Sequence, residues 1–234
     1  MLLKNGGAHA SRYRPSVRVD LALLVVHEGA LCVLLEERKG PPFRGYQVLT
    51  GASLRQGESL DQAAQRVLLR SIPTGAGHIH QLHTFGEPSR DPRGHVLSVA
   101  YLGLAETDSL KPLAATFQLG RTPPRGSQPP QGSPLAVVSA SGAQLHLGFD
   151  HRQIIEHGIS ELRSRLLHSP LAYALLRPEF TLRELRILHE TILDERFNKD
   201  NFRRKIIATG ALEETGRRQT DVGYRPAKLY RATI

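Results

Sequence analysis

An α+β fold in two unequal parts is what this chain of 234 residues predicts. Three observations carry that prediction. Short β-branched and aliphatic runs separated by turn signals crowd the first hundred residues. From Ser169 onward, capped stripes at helical period take over and end in a short hairpin. Between the two styles, residues 120–134 (GRTPPRGSQPPQGSP) are Pro-, Gly- and Ser-rich, a composition that cannot bury enough apolar surface to order itself.

Taken in order, residues 1–16 form a flexible tail. Residues 17–26 and 31–36 read as a strand hairpin turned at His27-Glu28-Gly29, Pro41-Pro42 and Gly45 mark a loop, and 46–50 is a further strand. After Gly57-Glu58 a helix turns Leu60, Ala63, Ala64, Val67 and Leu68 inward. Residues 82–85 and 96–104 are strands around the loop GEPSRDPRGH. The 120–134 stretch is a mobile insertion within this first domain, residues 17–150, because apolar character resumes at 135–138 and 145–147. Asp150 is placed to cap a connecting helix over 151–168, whose stripe of Ile155, Ile159, Leu162 and Leu166 must be covered by its own domain or by a second subunit. In the last domain, 169–234, residues 170–176 are a short helix. Thr181 and Glu184 make a capping box that opens a helix with Leu182, Leu185, Leu188 and Ile192 inward, and Asn198 caps a third helix that stops at Gly210. Strands at 212–214 and 227–231 flank the loop 215–226. Three helices followed by a basic hairpin outline a winged helix-turn-helix.

Composition narrows the function. Forty per cent of the residues are hydrophobic, enough for real cores. The mean hydropathy is −0.29, and no run approaches the ~20 apolar residues of a membrane helix. The N-terminus has no apolar core of secretory length. A lone cysteine, Cys32, excludes an internal disulfide, reads as a small buried hydrophobe and suits a cytoplasmic protein. The net charge is +9, and it is localised: from Arg196 to Arg231 ten basic residues face four acidic ones. In NKDNFRRKIIATG, Phe202 and Ile206 lie one turn apart toward the core, which turns Arg204 outward with Asn201 and Arg203 on its flanks. Arg can read guanine and Asn adenine with paired hydrogen bonds, while Lys199 and Lys205 suit phosphates. Arg217, Arg218, Arg225 and Lys228 fit a wing that grips the backbone or the minor groove of double-stranded DNA.

Residues 50–74, TGASLRQGESLDQAAQRVLLRSIPT, resemble a Nudix box, the loop–helix–loop that holds divalent metal against a diphosphate. That resemblance implies a Nudix-like α/β/α sandwich with a mixed sheet. The box's first Gly is Ala52 here; Glu58 and Arg66 are kept; the three remaining carboxylate positions are Val67, Arg70 and Ser71. Magnesium requires hard oxygen ligands, and a permanent guanidinium beside the ion would repel it. The scaffold is thus expected to be kept and the metal site dismantled, with no catalytic residues, no metal and no cofactor.

Both halves together resemble the Nudix-related transcriptional regulators (NrtR). The match is carried by PPFRGYQVLTGA, HTFGEPSRDPRGHVLSVAYLGL, FDHRQIIEHGISELRSRL, FTLRELRILHETIL, and NFRRKIIATGALEETG followed by YRPAKLYRAT. The resemblance implies a homodimeric bacterial repressor that binds a palindromic operator near genes of NAD metabolism. Its effector would be ADP-ribose or another NAD-related nucleotide, with Arg38, Glu58, Arg90 and Arg93 as candidates to meet it. The chain departs from the family's usual Trp, Pro and Gly at Gln47, Thr50 and Ala52. The alternative is a hydrolase of ADP-ribose or a related nucleoside diphosphate with displaced metal ligands, for which Glu36, Glu37 or Glu87 would substitute. His78, His80 and His83 form H-x-H-x-x-H without a Cys or acidic fourth ligand, and read as surface or satisfied histidines. The pair Asp150-His151 reads as a helix start rather than as an acid–base pair.

Overall fold

The computed structural model describes residues 13–110, 117–122, 137–139, 141–166, 169–220, 223 and 226–233. The expected 1–16 tail and the heart of the expected insertion, 123–134, fall largely or wholly outside them, as does Arg225. Six strands form one sheet: β1 (Ser16–His27), β2 (Ala30–Glu37), β3 (Gln47–Ser53), β4 (His78–Phe85), β5 (Val96–Leu104) and β6 (Phe117–Arg121), in the order β4-β5-β1-β3-β2-β6. β1 and β5 run parallel and the other pairings are antiparallel, so the sheet is mixed. The turn between β1 and β2 is two residues, Glu28 (φ 47°) and Gly29 (φ 72°), with the paired positive φ values of a tight hairpin turn.

The pleat sorts the side chains of β1 onto two faces. Val19, Leu21 and Leu23 meet Ala63, Ala64, Val67, Leu68 and Ile72 of and just beyond helix α1 (Leu60–Ser71). Ala22 and Leu24 face the other way, toward Ile154, Ile155, Ile159 and Leu162 of helix α2 (His151–Arg165). The stripe expected on a connecting helix is thus covered by the sheet of the same chain. Gly158 allows the close approach, since a Cβ there would lie 3.3 Å from Leu102 Cδ1.

Two local expectations are corrected. Gly120 and Arg121 lie in β6, paired with Val33 and Cys32, rather than at the start of a mobile insertion. Asp150 opens α2 with its carbonyl, which accepts from Gln153 and Ile154, but its carboxylate makes no cap hydrogen bond.

The second core face continues into the C-terminal module through Leu171, Ala172, Tyr173 and Leu175. Residues Pro170–Leu175 form a 3₁₀ helix, followed by α3 (Leu182–Leu193), α4 (Lys199–Ala208) and the ribbon β7 (Leu212–Arg218) and β8 (Lys228–Ala232). The capping box is present: the Thr181 hydroxyl accepts from the Glu184 N–H at 3.1 Å, and Glu184 Oε2 accepts from the Thr181 N–H at 2.7 Å. Asn198 Oδ1 accepts from the N–H groups of Asp200 and Asn201, both at 3.1 Å. Caps of this kind contribute about 1 kcal/mol each. β7 runs to Arg218, so Arg217 and Arg218 lie on a strand and not in the expected loop.

Candidate functional site

The degenerate box is a closed, neutralised structure rather than a hollow one. Ser59 caps α1 through a capping box with Gln62. Glu58 accepts from Arg66 Nε and Nη2, both at 2.7 Å, and from the Arg55 N–H at 3.0 Å. Hydrogen bonding to Arg66 holds the Glu58 carboxyl at about 2. Glu58, expected to meet an effector, is therefore engaged as a brace of the loop. Val67 (0% exposed) and Ser71 (2%) point into the core between α1 and the sheet. Arg70 lies at the rim. Its Nη2 donates to both Glu36 oxygens, at 3.0 and 3.1 Å, and its Nη1 to the Gly51 carbonyl at 3.2 Å. Of the candidate replacement ligands, Glu36 is held by Arg70, Glu37 pairs with Lys39 at 3.0 Å, and Glu87 is exposed. Among the described residues no three His, Cys, Asp or Glu side chains gather where they could hold a metal ion. These residues do not fit a divalent cation.

Beside the box, β1, β3 and the β4–β5 loop converge on a buried Asp20. Arg18 Nε donates to its Oδ1 at 2.9 Å and the Ser98 hydroxyl to its Oδ2 at 2.6 Å. Burial would raise this carboxyl, but Arg18 and its other partners outweigh burial and hold the pKa below the usual range. Gly51 is required here: a Cβ would collide with the Asp20 carboxylate and lie 2.5 Å from Arg18 Nη2. The close approach thus belongs to Gly51, while Ala52, at the box's first-Gly position, packs its methyl against the α1 side of the core. Arg90, expected to meet phosphate, is instead interior, with its side chain 2% exposed. It makes a two-pronged bond to Asp150, Nε–Oδ2 2.7 Å and Nη2–Oδ1 2.5 Å, which explains why Asp150 does not cap α2. His151 Nδ1 accepts from the Leu49 N–H at 2.8 Å, and burial pushes its pKa down to about 4, so the ring is neutral.

Arg38 and Arg93 remain at the surface of this cluster, on the ring of Phe149 at 4.9 and 5.6 Å. Arg93 pairs with Asp91 at 2.6 Å, and Arg38 donates to the carbonyls of Pro41 and Pro42. Burial, then the nearby cations Arg93 and Arg18, pull the Arg38 pKa down. Phe149 (φ 55°) and Phe43 (φ 66°), whose rings meet edge-on at 4.9 Å, both hold backbone conformations unusual for bulky residues. An adjoining cavity of about 450 Å³ is lined by Tyr13, Arg14, Arg18, Ser53, Arg93 and His95 among others. Cations and an aromatic ring suit an anionic ligand with a flat base. Arg14, Arg18 and Phe149 were missed from sequence; a charged pair inside the apolar strand VRVDLALLVV was the available signal.

The C-terminal module presents the second site. Phe202 and Ile206 are buried, only 7% and 6% exposed, while Lys199, Asn201, Arg203, Arg204 and Lys205 are exposed. Arg204 Nη2 donates to Asn201 Oδ1 at 3.0 Å, so the two candidate base readers sit side by side. Wing charge is partly neutralised: Arg217 pairs with Glu179, Lys228 with Glu214 at 2.8 Å and Arg231 with Glu213 at 2.8 Å, while Arg218 donates to the Pro226 carbonyl at 3.0 Å. A groove of about 430 Å³ between α3, α4 and the wing adds Arg183 and Arg186, which a helical wheel of α3 places together at i, i+3. Of the histidines, His78 is exposed and His83 stacks on His157 at 5.4 Å. His80 is half-buried, its ring nitrogens without a hydrogen bond and its Nε2 3.9 Å from Glu161 Oε1.

Residues 172–232 match the family described as the NrtR DNA-binding winged helix domain. The ADPR responsive transcriptional repressor NtrR of Acinetobacter baylyi is 31% identical over 222 residues, 94% of this chain and 83% of that protein. An ADP-ribose pyrophosphatase of Methanocaldococcus jannaschii is 35% identical over 95 residues, 39% of this chain and 54% of the enzyme. The crystal structure of Shewanella oneidensis NrtR complexed with a 27mer DNA aligns with a TM-score of 0.77 at 29% identity, covering 93% of each chain.

Proposed function

The chain belongs to the NrtR family, and from that premise we propose that it is a cytoplasmic bacterial repressor that binds a palindromic operator near genes of NAD metabolism as a homodimer. The observation that carries this reading is α4: one face is locked into the core by Phe202 and Ile206, and the other offers Lys199, Asn201, Arg203, Arg204 and Lys205 to solvent. The first domain is the sensor, answering to ADP-ribose or a related nucleotide through the arginine-lined cavity beside Asp20 and Phe149. Support comes from the Acinetobacter relative, an ADPR responsive repressor, and from cavity walls suited to a diphosphate and a base. The same domain is not a diphosphatase, because Val67 and Ser71 are built into the core and Arg70 takes the remaining position.

A mobility-shift assay on the upstream regions of NAD-metabolism genes, with and without ADP-ribose, tests the reading. Retardation at moderate salt that ADP-ribose abolishes is expected, and absence of any retarded band refutes it. Arg204→Ala removes one base-reading fork, worth about 1–3 kcal/mol or about 5- to 150-fold in affinity, with an unchanged far-ultraviolet circular dichroism spectrum. Release of AMP from ADP-ribose in magnesium would refute the non-catalytic assignment.

A further inference from the structure

Two carboxylates at the box, Glu58 and Glu36, are neutralised by arginines of one helix. Arg66 clasps Glu58 through two 2.7 Å bonds, and Arg70 clasps Glu36 at 3.0 and 3.1 Å. Arg70 also takes the Gly51 carbonyl. A carboxylate together with a backbone carbonyl is the kind of hard oxygen set that a divalent cation gathers, and here a guanidinium gathers it. Its Nε–H and one Nη1–H make no hydrogen bond to a described residue, so they remain to donate to a phosphate oxygen. Arg18, which lines the neighbouring cavity, reaches the same Gly51 from the β1 side.

We propose that Arg70 is an internal substitute for the divalent cation, so that this domain binds a nucleoside diphosphate with no metal ion. The inference rests on the effector reading above and sharpens it: it names the group that neutralises the diphosphate and removes magnesium from the binding equilibrium. An ion approaching Glu36 would have to displace a paired guanidinium and then sit beside its charge. A diphosphate instead meets the fixed guanidinium of Arg70, which needs no recruitment, with Arg18 and Arg93 on the neighbouring cavity.

Calorimetric titration of the full-length protein with ADP-ribose, in excess EDTA and again in excess magnesium, tests it. Affinities equal within about twofold are expected. Arg70→Ala weakens binding in EDTA by about tenfold or more, and Arg70→Lys, which keeps the charge but not the fork, falls between. Arg70→Glu binds poorly in EDTA and recovers in magnesium, and its thermal midpoint rises with magnesium while that of the native protein does not. Melting followed by circular dichroism checks that each variant is folded. Native binding that requires magnesium, or an Arg70→Ala variant that binds as the native protein does, overturns the inference and leaves the effector reading standing. Failure to bind ADP-ribose in either buffer overturns both.

Discussion

His189 gives the C-terminal module a built-in sensitivity to acid. The side chain lies on α3, fully buried, with its ring edge-on to Phe202 at 5.2 Å and both nitrogens without a hydrogen-bond partner. Burial lowers its pKa from 6.5 to about 4. The folded ring therefore stays neutral in a range where the unfolded ring takes up a proton, so stability is full above about 6.5 and falls as pH drops toward 4. With those two values, folding is weaker at pH 5 than at pH 7.5 by about 2 kcal/mol from this residue alone. That is a large share of a typical stability of about 5–15 kcal/mol. Replacing it with leucine, similar in size, removes both the titration and two unsatisfied polar atoms. His189→Leu should match or exceed the native stability at pH 7.5 and lose about 2 kcal/mol less on going to pH 5. The chain has no tryptophan, so urea unfolding at the two pH values is followed by circular dichroism. His151 contributes its own acid loss to both proteins, which cancels in the comparison. Equal pH dependence in the native protein and the variant would refute the reasoning.

Two further outcomes concern the first domain. Arg90→Ala leaves the Asp150 carboxylate without its paired guanidinium, while Asp20 keeps Arg18, and should cost about 3–5 kcal/mol, read as a lowered thermal midpoint. Gly51→Ala forces a methyl into the Asp20 carboxylate and Arg18; an overpacking cost of about 1–3 kcal/mol is expected, and an unchanged melting curve would contradict the close approach.

The elements read best from sequence were those whose signals are local. α1, α2 and α3 were visible in their 3.6-residue stripes, and the Thr181 and Asn198 caps in the residues themselves, because a helix satisfies its own backbone. β6 was not: Phe117 and Leu119 are its apolar content, and what makes QLG a strand is the edge of β2, more than eighty residues earlier. The His-rich start of β4 hid in the same way, being held by β5. The burial of Arg90 is not legible because a loop of Pro, Gly, Asp and Arg reads as solvated, and the partner that draws it inside is sixty positions away at Asp150. That same pairing withdrew Asp150 from the cap it was expected to make. The box could be read as degenerate from residue types alone. That Arg70 grips Glu36 could not, since no spacing rule links positions 34 apart.

α2 makes contacts at both of its ends. Its first turn is pinned where Asp150 and His151 meet Arg90, Asp20 and Leu49. Near its last turn Arg163 Nε donates to the Ile192 carbonyl of α3 at 2.9 Å. Fifteen residues of helix make a rod about 22 Å long. The helix is also packed on the sheet along its length through Ile154, Ile155, Ile159 and Leu162, so one rigid element spans the distance from the buried arginine cluster to the base of the helix-turn-helix.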